Sequence, residues 1–182
     1  MIFQKNQKKG FTLIEMLVTV ALFVAVITTA SGIFVSSIKA QRRSLASQQL
    51  LDQTSYALEY ISRALRMAKK ELAAPSCLSG NGLNYQETHA GKGIKFINYN
   101  DECQEFFWDT NTDRLKEKKG TEEFFLTSED LEVDYFNIEL TGASQNDDFQ
   151  PKITISLKIT GQEQSQIKIQ STVSQRNLDV WQ

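Results

Sequence analysis

The chain has 182 residues, 41% of them hydrophobic and 23% charged, with 20 Lys and Arg against 22 Asp and Glu for a formal net charge of −2. That length holds one domain, or one domain with an appendage, and is short for a TIM barrel, while 11 Phe, 5 Tyr and 2 Trp argue against a wholly disordered chain and the lack of a basic excess argues against a general nucleic-acid binder. Two Cys and one His (Cys77, Cys103 and His89) are too few for a zinc centre, and 2 Pro with 9 Gly exclude collagen-like or Pro-rich architecture.

The first forty residues differ from the rest. Residues 1–10 read MIFQKNQKKG, with Lys5, Lys8 and Lys9 and no acid. Residues 11–38 are apolar, and between Glu15 and Lys39 there is no charge at all. As a helix that stretch is long enough to cross the ~30 Å hydrocarbon core of a bilayer. An ordinary secretory signal peptide would be cut after a small residue such as Ala30, but its core would begin with a glutamate. A plain signal anchor leaves Glu15 equally unexplained, since an acid in the bilayer costs ~3 kcal/mol.

The string Lys9-Gly10-Phe11-Thr12-Leu13-Ile14-Glu15, followed by the apolar stretch, resembles the N-terminus of type IV pilins and type II secretion pseudopilins. The resemblance implies a leader over residues 1–10, cut after Gly10 by a prepilin peptidase on the cytoplasmic side. It implies N-methylation of the new terminus at Phe11, and retention of Glu15 for assembly. It further implies other pilin or pseudopilin subunits and an assembly platform protein as partners, membrane lipid as the surroundings before assembly, and no cofactor. Lys5, Lys8 and Lys9 before the span are balanced by Lys39, Arg42 and Arg43 behind it, so charge does not set the orientation. The resemblance sets it: leader inside, C-terminal domain outside, in the cytoplasmic membrane and then in a filament. Losing the leader removes three of 20 basic groups and none of the 22 acids, which leaves a formal −5.

Residues 11–38 are thus expected as a transmembrane and filament-core helix, and residues 39–74 as its amphipathic continuation. Leu51, Thr54, Leu58, Ile61, Leu65, Ala68 and Leu72 step by three and four along an apolar stripe, and Pro75 is expected to stop the helix, which would run from about 11 to 73. Gly32 is the weak point inside it: either a place to bend or a small residue for close helix packing. The basic set Lys39, Arg42 and Arg43 suits phospholipid headgroups better than DNA.

Residues 75–182 are expected as an extracytoplasmic antiparallel sheet domain. Residues 75–92 look like a loop. Period-two alternation then begins with Ile94, Phe96 and Asn98 against Lys95, Ile97 and Tyr99. The run Phe106-Phe107-Trp108 leads into Asp109-Thr110-Asn111-Thr112-Asp113, a turn composition. Glu123 to Leu126 is a short strand. Leu131, Val133 and Tyr135 alternate in one phase and Phe136, Ile138 and Leu140 in the other, which predicts a bulge near Tyr135 and Phe136. Ile153, Ile155, Leu157 and Ile159, a turn at Gly161, then Ile167 and Ile169 form the clearest hairpin. A long helix lying on an antiparallel sheet is an α+β fold of pilin type, with the apolar stripe as the cover for the sheet.

Cys77 and Cys103, an even pair on the expected outer side of the membrane, read as a disulfide worth ~3 kcal/mol in the chain-entropy account, against the alternative of two unrelated buried thiols. Type IV pilins often carry theirs nearer the C-terminus, so this placement points to a minor pseudopilin rather than a typical major pilin. Asp109, Asn111 and Asp113 imitate the opening of a calcium loop. Arg114 stands where glycine is needed and Gly120 where the bidentate glutamate belongs, so a plain turn is the better reading. The resemblance offers Asp147-Asp148 as part of a calcium site, such as major pseudopilins carry near the C-terminus, but two adjacent acids in a loop are usually just solvated, and no metal is claimed. His89 is alone in a polar loop, and no nucleophile, zinc or phosphate-loop motif is present, so no enzyme activity is expected. The expected function is a structural subunit of a type IV pilus or of a secretion or competence pseudopilus. The rival readings are a membrane-anchored extracellular binding domain that never polymerises and a secreted enzyme behind an ordinary signal peptide.

Overall fold

A computed structural model describes residues 10–72, 77–143 and 149–176. The chain divides into two compact units, residues 1–42 and 43–182. One helix, α1 (Leu13–Arg66), contributes to both.

In the first unit every residue from 10 to 37 is exposed. The helix is unbroken through Gly32, and a Cβ there would meet nothing within 4 Å. Four hydroxyls of this stretch turn inward to their own backbone. Thr19 donates to the Met16 carbonyl at 2.9 Å, Thr28 to Val24 at 2.7 Å, Thr29 to Val26 at 2.9 Å and Ser36 to Ile33 at 2.8 Å. A polar group in hydrocarbon needs an internal partner, and these four have one.

In the second unit, α1 from Arg43 onward buries Ala46, Leu50, Thr54, Ala57, Leu58, Ile61 and Leu65. The stripe is therefore the expected one in its centre and shifted at its ends. Leu50, not Leu51, faces the core, while Leu51 and Leu72 are exposed. The helix also stops at Arg66, short of the expected 73. Donors from β1 and from the two residues after β8 capture the carbonyls at and just past its end: Tyr85 Oη donates to Leu65 O at 2.6 Å, Arg176 N to Arg66 O at 2.8 Å and Gln175 Nε2 to Ala68 O at 2.8 Å. Met67 and Ala68 tighten the turn, and Lys69 N pairs with Ile97 O at 2.9 Å, so the backbone leaves the helix to join a strand edge. Pro75, the expected stop, lies outside the described residues.

The strands form two antiparallel meanders rather than one sheet. The first holds β1 (Tyr85–Thr88), β2 (Gly93–Ile97), β3 (Cys103–Asp109), β4 (Arg114–Lys119) and β5 (Glu122–Phe125) in that order. The second holds β6 (Glu132–Thr141), β7 (Lys152–Thr160) and β8 (Gln166–Ser174). β1 falls inside the expected loop, because only Tyr85 of its four residues is buried and no alternation marks it. β4 was equally unmarked: Arg114, Lys116 and Lys118 face outward, where Lys116 Nζ meets Asp109 at 2.7 Å and Lys118 pairs in register with Glu105 and Glu123. The expected bulge is present, with the register shift between Val133 and Tyr135. The displaced Asp134 meets Lys158 Nζ at 2.9 Å and the Thr160 hydroxyl at 2.7 Å. The β7–β8 hairpin is as expected, with Ile153, Ile155, Leu157 and Ile159 buried. The core joins helix and both sheets through Leu50, Leu58, Ile61, Leu65, Phe96, Phe106, Leu115, Phe136, Ile155 and Val173.

Candidate functional site

The start of α1 is the chemically distinctive place in the first unit. Gly10 and Phe11 precede the helix and are exposed, and a Cβ on Gly10 would meet nothing within 4 Å. Nothing in the described structure therefore calls for glycine at this position. Thr12 is the N-cap. Its hydroxyl accepts the Glu15 backbone N–H at 3.3 Å and donates to Glu15 Oε2 at 3.0 Å, while Thr12 N donates to the same Oε2 at 3.1 Å. The first helical bond, Met16 N to Thr12 O, follows at 3.2 Å. This is a reciprocal capping box, with Thr and Glu three residues apart. It gives Glu15 local partners at the apolar end of the chain, and the positive end of the helix dipole adds to them. The Thr-x-x-Glu spacing is legible in the sequence.

From Leu13 on, the exposed surface is almost entirely apolar: Leu13, Ile14, Leu17, Phe23, Ile33 and Phe34 among others have nothing to pack on within the chain. The helix is long and apolar enough to cross a membrane. The family described as the prokaryotic N-terminal methylation motif matches residues 5–31. The chain bears the N-terminal methylation signature of type IV pilins and pseudopilins. That signature supports a pilin-like substrate of prepilin peptidase. No curated protein and no solved structure matches the chain.

The remaining candidates lie in the second unit. Cys77 and Cys103 are joined as a disulfide with their Cα atoms 5.4 Å apart, and no free cysteine remains. Sequence reasoning missed the carboxylates that organise this helix-and-sheet domain. Glu117 on β4, 5% exposed, accepts from Tyr60 Oη at 2.9 Å and Gln104 Nε2 at 2.5 Å and pairs with Lys119 Nζ at 2.9 Å. Lys119 Nζ also donates to Tyr60 Oη at 2.9 Å. The Tyr60 hydroxyl beside it raises the Lys119 pKa, and burial raises that of Tyr60. The network fixes α1 to the first sheet, and no local sequence pattern announces it because Tyr60 and Glu117 are 57 residues apart.

Asp109, Asn111 and Asp113 form the β3–β4 turn. Asp109 accepts from Asn111 N at 3.0 Å, the Thr112 hydroxyl at 3.0 Å and Lys116 Nζ at 2.7 Å. Lys116 foremost holds its carboxyl down to about 2. Among the described residues no group of three or more His, Cys, Asp or Glu is placed to hold a metal; Asp147 and Asp148 lie outside them. His89 is not alone: its ring stacks on Phe107 with centroids 4.7 Å apart, and Nε2 is 3.3 Å from Glu105. Lys39, Arg42 and Arg43 are exposed.

Proposed function

We propose that this chain is a structural, non-enzymatic subunit of a type IV pilus or of a secretion or competence pseudopilus, most closely of the minor pseudopilin kind. It is cut between Gly10 and Phe11, methylated on the Phe11 amine, and held as a single-pass protein in the cytoplasmic membrane with residues 43–182 outside. An assembly platform then draws the N-terminal helix out of the lipid into a filament core. The observation that carries this reading is one coincidence: the methylation motif over residues 5–31 runs into a helix whose residues 13–37 find no cover in their own chain. Such a surface calls for lipid before assembly and for other helices after it. The disulfide suits an oxidising compartment on the outer side.

Glu15 takes the role of register. Cleavage turns the Phe11 nitrogen into a cation one helical turn away, and two charges in hydrocarbon lower their cost by meeting. In a staggered filament the Glu15 of an incoming subunit meets the Phe11 amine of the one already docked. Until then the Thr12 cap holds the carboxylate.

Gly10→Val tests the processing step cleanly, since the added side chain meets nothing in this chain. The variant is expected to insert in the membrane with its leader attached. Normal maturation at Phe11 would contradict the reading, and an intact Met1 in the wild type would favour an anchored binding domain.

A further inference from the structure

Glu71 is 1% exposed, an unusual place for a carboxylate, and it lies just beyond the helix. Its side chain reaches forward along the chain: Oε1 accepts from Cys77 N at 3.1 Å and Oε2 from Leu78 N at 2.6 Å. Its main chain holds the far side of the same loop, with Glu71 N donating to Leu83 O at 3.0 Å and Gly82 N donating to Glu71 O at 2.6 Å. One residue thus fixes both ends of the 77–83 segment. The segment's own anchorage is equally defined. Lys69 pairs with Ile97, and Ile97 stands opposite Cys103 in the β2–β3 register, so Glu71 follows two residues after a row that ends on Cys103. Cys103 is held in β3, where its carbonyl accepts Gly120 N at 3.1 Å. Cys77 belongs to no strand, and its sulfur lies 3.5 Å from the Phe96 carbonyl on β2.

We propose that Glu71 is the positioning residue for oxidation of Cys77 and Cys103. Its carboxylate grips the amides of Cys77 and Leu78 before any bridge exists, and so presents the Cys77 thiol to a partner already fixed in the sheet. A thiol–disulfide exchange proceeds in two displacements. One cysteine thiolate attacks a sulfur of an external disulfide and releases one thiol of that reagent. The second cysteine thiolate then attacks the mixed disulfide, forms the Cys77–Cys103 bond and releases the second thiol. Two protons leave the protein's thiols and appear on the two reagent thiols. In the cell the reagent is an extracytoplasmic disulfide donor. The first displacement needs only an exposed thiolate, whereas the second depends on how often the two cysteines meet, and that is the quantity Glu71 raises. Glu71 acts through Cys77 and is not a reacting group.

The test uses the full-length chain in detergent micelles, equilibrated with mixtures of reduced and oxidised glutathione, with the bridged fraction counted by thiol trapping. Glu71→Leu, which loses both acceptors, is expected to lower the effective concentration of the pair by roughly ten- to a hundred-fold, the scale of one or two hydrogen bonds to a charged group. Glu71→Gln keeps one acceptor and is expected to fall between. A role in general stability alone would weaken the reduced and bridged forms together and leave this equilibrium unchanged. Should Glu71→Leu fail to fold, Cys103→Ser reads the same order of events. Slow amide exchange at Cys77 and Leu78 is expected to persist without the bridge. An equilibrium within threefold of wild type in a folded Glu71→Leu chain, or loss of that protection in Cys103→Ser, would mean that the bridge orders the segment and Glu71 does not.

Discussion

Replacing Thr12 by Val keeps the size of the side chain and removes the one hydroxyl that the cap depends on. Two of the three contacts between Thr12 and Glu15 go with it: the bond accepted from Glu15 N and the bond donated to Glu15 Oε2. The third, from Thr12 N, remains available. Loss of an N-cap of this kind costs about 0.5–2 kcal/mol, and with one of three contacts retained about 1 kcal/mol is a reasonable centre. The first turn should then open about fivefold more often. Amide exchange at Met16 reports this directly, because its bond to Thr12 O closes the first turn. In micelles, Thr12→Val is expected to speed that exchange about fivefold, and Thr12→Ser to restore it. The cycle with Glu15→Val isolates the pair. In the Glu15→Val background Thr12→Val should do clearly less, since the carboxylate half of the box is already gone. Equal effects in both backgrounds would refute a reciprocal cap and leave Glu15 without its local partner.

Two further perturbations probe the second unit. Tyr60→Phe keeps the ring that meets Phe106 edge-on at 5.9 Å but removes the hydroxyl between Glu117 and Lys119; urea unfolding is expected to show a loss of about 1–2 kcal/mol, and no change would mean that Gln104 and Lys119 suffice for the buried carboxylate. Asp109 has its carboxyl depressed from the ordinary ~3.9 to about 2 in the folded chain, so its contribution is complete above pH ~4 and fades as pH falls toward 2. Asp109→Asn should therefore be less stable than wild type at pH 6 and close to it near pH 2, and a gap independent of pH would contradict the Lys116 pairing.

The sequence made legible what is local or periodic. The charge-free stretch after Glu15 and the three-and-four spacing of Thr54, Leu58, Ile61 and Leu65 marked the helix, and alternation at Ile153 to Ile159 marked the hairpin. The bulge was readable because the apolar phase slips there, and the structure puts it within a residue. What stayed hidden depends on distant partners. The helix ends at Arg66 because Tyr85 and Arg176, distant in sequence, take the carbonyls of Leu65 and Arg66, and no propensity between residues 67 and 73 announces that. β4 reads as a lysine-rich loop until Glu105, Asp109 and Glu123 are placed beside it. Glu71 and Glu117 look like two solvated acids among 22, and only the fold shows each as a buried hub. At the N-terminus the position is different: Gly10, Phe11, Thr12 and Glu15 lie within six consecutive residues, so the whole constellation is local, and the Thr-x-x-Glu spacing carries the cap.

The central claim is that Phe11 becomes the first residue of an assembled subunit. Mass spectrometry of the N-terminal peptide from filaments sheared off cells producing the chain tests it most directly. N-methylated Phe11 at the terminus of filament-borne chains is the predicted result. Chains that keep Met1 and remain in the membrane, or that begin at Ser31 in the medium, would contradict it.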